Sequence, residues 1–163
     1  MKTERPRAIA LQGLRAGFVS RVTAAAVDVL IVFITFLAAL AGWAVLVYFL
    51  TNDPLDLPDP GAVWSGVGMA VLLIAVLTLF WSSSGRTIGD SLVGLRVVTR
   101  TGNKLSWRRA LVRAVVVVVI PVVSMLWILV SRKNAGIHDL VCRTTVIYDW
   151  RPRSGRAGSR PRE

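Results

Sequence analysis

Hydrophobic positions along the chain fall into three long blocks separated by polar stretches. Residues 22–50 carry a single charge, Asp28, while residues 62–81 and 114–130 carry none. Apolar runs of about 18 residues or more predict helices that cross a bilayer. The first block is roughly twice as long as a signal-peptide core of about 7–15 residues, so it is expected to be a span and not a cleaved leader. "TNDPLDLPDPG", residues 51–61, ends it with three prolines and a glycine. The second block, Ala62–Trp81, has Trp64 and Trp81 near its ends, where interface aromatics sit.

Between the second and third blocks lies a basic connection with Arg86, Arg96, Arg100, Lys104, Arg108 and Arg109. Within it, "LVGLRVVTRTGNKLSW" predicts a strand near Leu95–Thr99, a turn at Thr101-Gly102-Asn103 and a helix start near Ser106. The third block, "ALVRAVVVVVIPVVSMLWILV", has Pro121 at its centre, which costs a helix one hydrogen bond and adds a clash. Two arms of about ten residues each reach about 15 Å, half a bilayer, so a re-entrant hairpin fits. "RTTVIYD", residues 143–149, reads as a strand whose natural partner is Leu95–Thr99, and pairing needs both on one side of the membrane. A kinked third crossing is the alternative. The expected fold is an all-α membrane protein: two transmembrane helices, a third proline-broken apolar segment (re-entrant hairpin or third span), and a small cytoplasmic β element. Residues 1–20 are expected to form a cytoplasmic or interfacial lead-in, 21–149 the membrane domain, and 150–163 a disordered basic tail. No internal repeat is evident.

Charge fixes the expected orientation. The chain has 20 Lys and Arg against 9 Asp and Glu, a net charge of +11. The loop at 51–61 has three aspartates and no basic residue, and the connections on the other side are basic, so the N-terminus is expected inside. Because the basic residues flank membrane segments, their expected partners are anionic lipids, not nucleic acid. A homo-oligomer or a membrane-protein partner is also expected, since three apolar segments are too few to enclose a pathway. Cys142 is the only cysteine, which excludes an internal disulfide. His138 is the only histidine, which excludes a histidine-rich metal site. No catalytic arrangement, metal site or cofactor motif stands out, and no enzyme activity is expected.

The candidate chemistry lies in a few charged residues beside apolar segments. Arg21 and Asp28 are seven apart, so they share one helical face within about 20°. Thr35 and Gly42 continue that small, polar line. A carboxylate facing lipid costs roughly 2.5–3.5 kcal/mol, so Asp28 needs a partner, a cavity or a proton. Arg113, His138 and Asp139 complete the set if the tail lies inside, where Asp139 can reach Arg21 or Arg113. The cluster reads either as an ion pair that fixes packing or as a site for a proton or small cation.

These residues carry a resemblance. Arg21 and Asp28, with "GRTIGDSLVGLRVV", "TGNKLSWRRALVR" and "HDLVCRTTVI", resemble the RDD family in order and spacing over about residues 13–149. The arginine and two aspartates of that family's name correspond to Arg21, Asp28 and Asp139. Asp90 departs from the pattern, since many relatives have a basic residue there. The resemblance implies an integral, multi-pass protein of the bacterial cytoplasmic membrane, with a role related to transport and no known ligand.

Overall fold

The computed structural model describes residues 13–51, 54–121 and 136–149. The lead-in expected at residues 1–20 lies partly outside them. The arm after Pro121 and the basic tail at 150–163 lie wholly outside them.

Helix α1 spans Phe18–Thr51 and α2 spans Gly61–Ser83. Their 34 and 23 residues reach about 51 Å and 35 Å, against a hydrocarbon core of about 30 Å. Burial is uneven along both. On α1 the buried positions are Arg21, Ala24, Asp28 and Val32, spaced by three or four, and beyond them only Ala44. On α2 only Leu77 and Trp81, near its C-terminal end, are buried. Elsewhere Phe33, Leu37, Phe49, Trp64 and Val71 are exposed. Two helices are therefore long and apolar enough to cross a membrane, and among the described residues most of their buried positions lie at one end of the pair.

That end is a small subdomain. Thr87 opens a short helix, α3 (Ile88–Val93), through a reciprocal cap: its hydroxyl accepts from Asp90 N at 3.0 Å, and the Asp90 carboxylate accepts from Thr87 N at 3.2 Å. Gly94, at φ 72°, ends it and leads into β1 (Leu95–Thr99). Helix α4 follows from Trp107 to Val119. After the undescribed residues come α5 (Ile137–Cys142) and β2 (Thr144–Tyr148). β1 and β2 pair antiparallel, with Val97 opposite Val146 at the centre. Residues 13–16 run along the other edge of β2 through Gly13 N to Tyr148 O and Ala16 N to Val146 O. Leu95, Val97, Val146, Ala110, Ala114 and Trp81 form the core under the sheet.

An internal repeat, not evident in the sequence, is visible here. Ile88–Thr99 and Ile137–Tyr148 are the same construction: a six-residue helix with Asp at its third position, a left-handed cap, and a five-residue strand. Asp90 matches Asp139, and Gly94 matches Arg143. The central pair of the sheet, Val97 and Val146, is also a matched pair, so the two units face each other across a local twofold. The sequences share little beyond Ile, Asp and apolar strand positions, so no identity scan would find the match.

The caps differ in one respect that can be tested. Arg143 sits at φ 53°, the one non-glycine with positive φ among the described residues, where its counterpart is glycine. Arg143→Gly should stabilise the fold by about 1 kcal/mol, read by denaturant titration in detergent micelles. A loss of stability would show that the arginine side chain holds the fold by contacts that outweigh its backbone strain.

Candidate functional site

The site forms where the N-terminal third of α1 meets the two short helices. Helix α5 presents Asp139 from its first turn, and the carboxylate accepts from Gly136 N at 3.2 Å. One oxygen accepts from Arg21 Nη1, and the other accepts from Arg113 Nη1. Thr144 Oγ1, at the start of β2, accepts from Arg113 Nη1 at 2.5 Å and donates to Asp139 at 3.3 Å. Arg21 Nε donates to Ala16 O at 3.3 Å. The Arg113 guanidinium lies over the Trp81 ring, 4.8 Å from its centroid. Asp139 and Arg113 are 1% and 2% exposed, so this is a buried arginine–aspartate–arginine group. Charge-assisted bonds to both carboxylate oxygens are what make such a group tolerable away from water.

Asp28 belongs to a neighbouring group. Its carboxylate accepts from Thr87 Oγ1 at 2.5 Å and from Gly89 N at 2.8 Å. It is thus bound by the N-terminal turn of α3, which offers free amide donors to an anion. No ion pair joins Arg21 and Asp28 among the described residues. The expected pairing along one helix face is corrected in this respect: the two share the face but turn to different short helices. Asp139, expected to reach Arg21 or Arg113, reaches both, so one carboxylate serves two arginines. Thr35 and Gly42, expected to extend a packed polar face, are exposed, and Thr35 donates to its own helix at Ile31 O.

Thr87 and Gly89 were not singled out in the sequence, and Asp90 only as a departure from the family pattern. Thr87 and Asp90 carry the T-x-x-D spacing of a helix cap, a legible signal. Asp90 also accepts from Trp81 Nε1 at 3.1 Å, tying α2 to α3. Gly89 allows α3 to approach Ala24 O closely. A second ion group lies nearby: Asp149 accepts from Arg86 at 2.5 Å and Arg96 at 3.1 Å.

The electrostatics follow from burial and neighbours. Burial alone would push the Asp139 carboxyl up, but Arg113 and Arg21 outweigh it and hold it well below the usual carboxylate range. Burial, and then the Arg113 charge, push His138 down to about 3, against the pull of Asp139 3.7 Å away. His138 is therefore neutral at pH 7. An unfolded histidine titrates near 6.5, so the unfolded chain binds more protons between about pH 3 and 6.5. The stability that neutral His138 supplies is full above pH 6.5 and is lost as pH falls, at up to about 1.4 kcal/mol per pH unit. Asp139 adds no slope above its unfolded value of about 4. Melting temperatures in detergent should fall from pH 6.5 to 4.5, and His138→Gln should flatten that fall. An unchanged slope in the variant would remove His138 as its source.

Between α1, α2 and α4 a half-open cavity of about 80 Å³ is lined by Arg21, Asp28, Trp81, Asp90, Arg113 and His138, with apolar Val29, Leu73 and Leu77 toward the middle of the long helices. All five expected site residues thus line the cavity or, for Asp139, hold two of its lining arginines. Among the described residues no group of histidine, cysteine and carboxylate side chains is arranged to hold a metal.

No curated protein and no solved structure matches the chain. The model of the RDD family matches residues 15–143, a stretch that includes Arg21, Asp28 and Asp139. With most of its length matched, from the first turn of the site to its last helix, this chain belongs to the RDD family.

Proposed function

We propose that the protein is a non-enzymatic subunit of a larger membrane assembly, and that its arginine–aspartate cluster locks the small subdomain onto the first span. One observation carries this reading: the cluster carboxylates are already engaged by protein donors. Asp139 is held by two arginines and Thr144, and Asp28 by Thr87 and Gly89. A cation at Asp139 would have to displace a buried guanidinium. The long helices keep most of their apolar surface uncovered within the chain, which leaves it to lipid, further copies or a membrane-protein partner.

The protein sits in a bacterial cytoplasmic membrane with its N-terminus and basic connections inside, following the charge rule. Both described flanks of the third apolar block, α4 and α5, then lie on the inner side. Pairing of β1 with β2 supports this, since the chain must return to the sheet it left. A reporter fused at the C-terminus should be cytoplasmic, and an external signal would replace the hairpin with a crossing.

The second reading is a transport component that binds a proton or small cation, and the cavity beside Asp28 and His138 favours it. Ion flux into proteoliposomes separates the two. Proton or sodium flux that disappears in Asp28→Asn supports transport. Absence of flux above empty vesicles, with a defined multi-subunit mass by native mass spectrometry, supports the assembly role.

A further inference from the structure

We propose that the groove between α4 and α5 holds the phosphate of an anionic phospholipid, gripped by Arg108, Arg109 and Arg143. This rests on the reading above that the subdomain lies at the cytoplasmic leaflet. The groove has a volume of about 360 Å³ and is lined by those three arginines with Val112, Val141 and Cys142. No acidic residue lines it among the described residues, and none of the three arginines forms an ion pair there.

Two features show that this charge is kept against local cost. Arg108 and Arg109 occupy the first turn of the 13-residue α4, where no acid is present and Ser106 makes no side-chain cap. Cations at a helix N-terminus add to the positive end of its dipole, and an anion bound there relieves both. Arg143 holds a left-handed backbone at φ 53°, where the matched position of the first unit is glycine. Strain of this kind persists where a side chain has work at that place. Guanidinium groups bind phosphate oxygens through paired donors.

The surroundings favour a lipid over a free phosphate. Val112 and Val141 are about half exposed inside the groove, and Trp107 beside it is 60% exposed. Arg108 lies 5.7 Å from the Trp107 ring centroid. An aromatic side chain with basic neighbours on an apolar floor suits a headgroup with its first acyl carbons at the interface.

The test is native mass spectrometry of the full chain released from nanodiscs of equal phosphatidylglycerol and phosphatidylcholine. The expected result is one retained phosphatidylglycerol per chain. Arg109→Gln and Arg143→Gly should each weaken retention about fivefold, while Lys104→Gln, outside the groove, leaves it unchanged. Arg143→Gly is the safer variant, because its backbone change favours folding. Equal retention of phosphatidylcholine, or retention unaffected by the two groove variants, would overturn the site. Inorganic phosphate that binds the lipid-free protein and displaces the lipid would reassign the groove to free phosphate and overturn the lipid assignment. Carbonate extraction separates this from the underlying reading: release of the chain from membranes would overturn the membrane placement itself.

Discussion

Asp139→Asn is expected to cost the fold about 3–5 kcal/mol, the range for breaking a buried ion pair by removing one partner. The substitution keeps the side-chain shape and removes its charge. Arg21 and Arg113 then remain buried, 6% and 2% exposed, with two like charges facing each other across a neutral amide. One amide oxygen cannot accept from both guanidiniums and from Gly136 N as the carboxylate does. The loss should appear as a lower midpoint in denaturant titrations of the micelle-embedded protein. A second substitution makes the cause specific. Arg113→Gln on the Asp139→Asn background should cost much less than it does alone, because the charge it removes has already lost its partner. Additive losses would show that the three residues do not act as one group.

Gly89→Ala is expected to destabilise by about 3 kcal/mol, a large effect for one methyl group. An added Cβ would meet Ala24 O at 2.1 Å and the Asp28 Cγ at 3.0 Å. The obstacle is backbone, so no rotamer change relieves it, and α3 must move away from α1. That movement also weakens the bond from Gly89 N to Asp28. Overpacking costs about 1–3 kcal/mol, and a hydrogen bond to a charged group is worth about 1.5–3 kcal/mol. Ala24→Gly should fail to rescue the variant, since the clash is with the Ala24 carbonyl. Gly42 supplies the comparison on the same helix as Ala24. Nothing lies within 4 Å of its added Cβ. Gly42→Ala should be neutral or stabilising by roughly 0.5–1 kcal/mol, as for any exposed helical glycine. If Gly89→Ala behaves like Gly42→Ala, α1 and α3 do not approach as described.

The same contrast between local and distant information explains which parts of the site were legible. Arg21, Asp28, Arg113, His138 and Asp139 could be picked out because charge beside a long apolar block is rare and costly. Their partners could not. The seven-residue spacing of Arg21 and Asp28 places both on one helix face, but a step of about 10 Å along the axis leaves each within reach of other elements. The outcome was set by two short helices, each six residues long and too brief for a periodic signal. Thr87 and Asp90 could have announced the first of these by their capping pattern. The repeat escaped notice because it consists of backbone geometry, with Gly94 and Arg143 in the same left-handed cap despite their different chemistry.

The sequence by itself determined the two long apolar helices, the acidic turn between them, the strands at Leu95–Thr99 and Thr144–Tyr148, and the charged residues that need company. These follow from hydrophobic blocks, proline and glycine stops and alternating patterns, all read over a few neighbouring residues. Only the tertiary structure decided that Asp139 joins two arginines, that Asp28 turns to Thr87 and Gly89, and that Trp81 bridges Arg113 and Asp90. The physical reason is that a buried charge accepts whichever donors the packed chain brings within about 3 Å. Those donors come from positions as far apart as 21 and 139, a separation that no local pattern encodes.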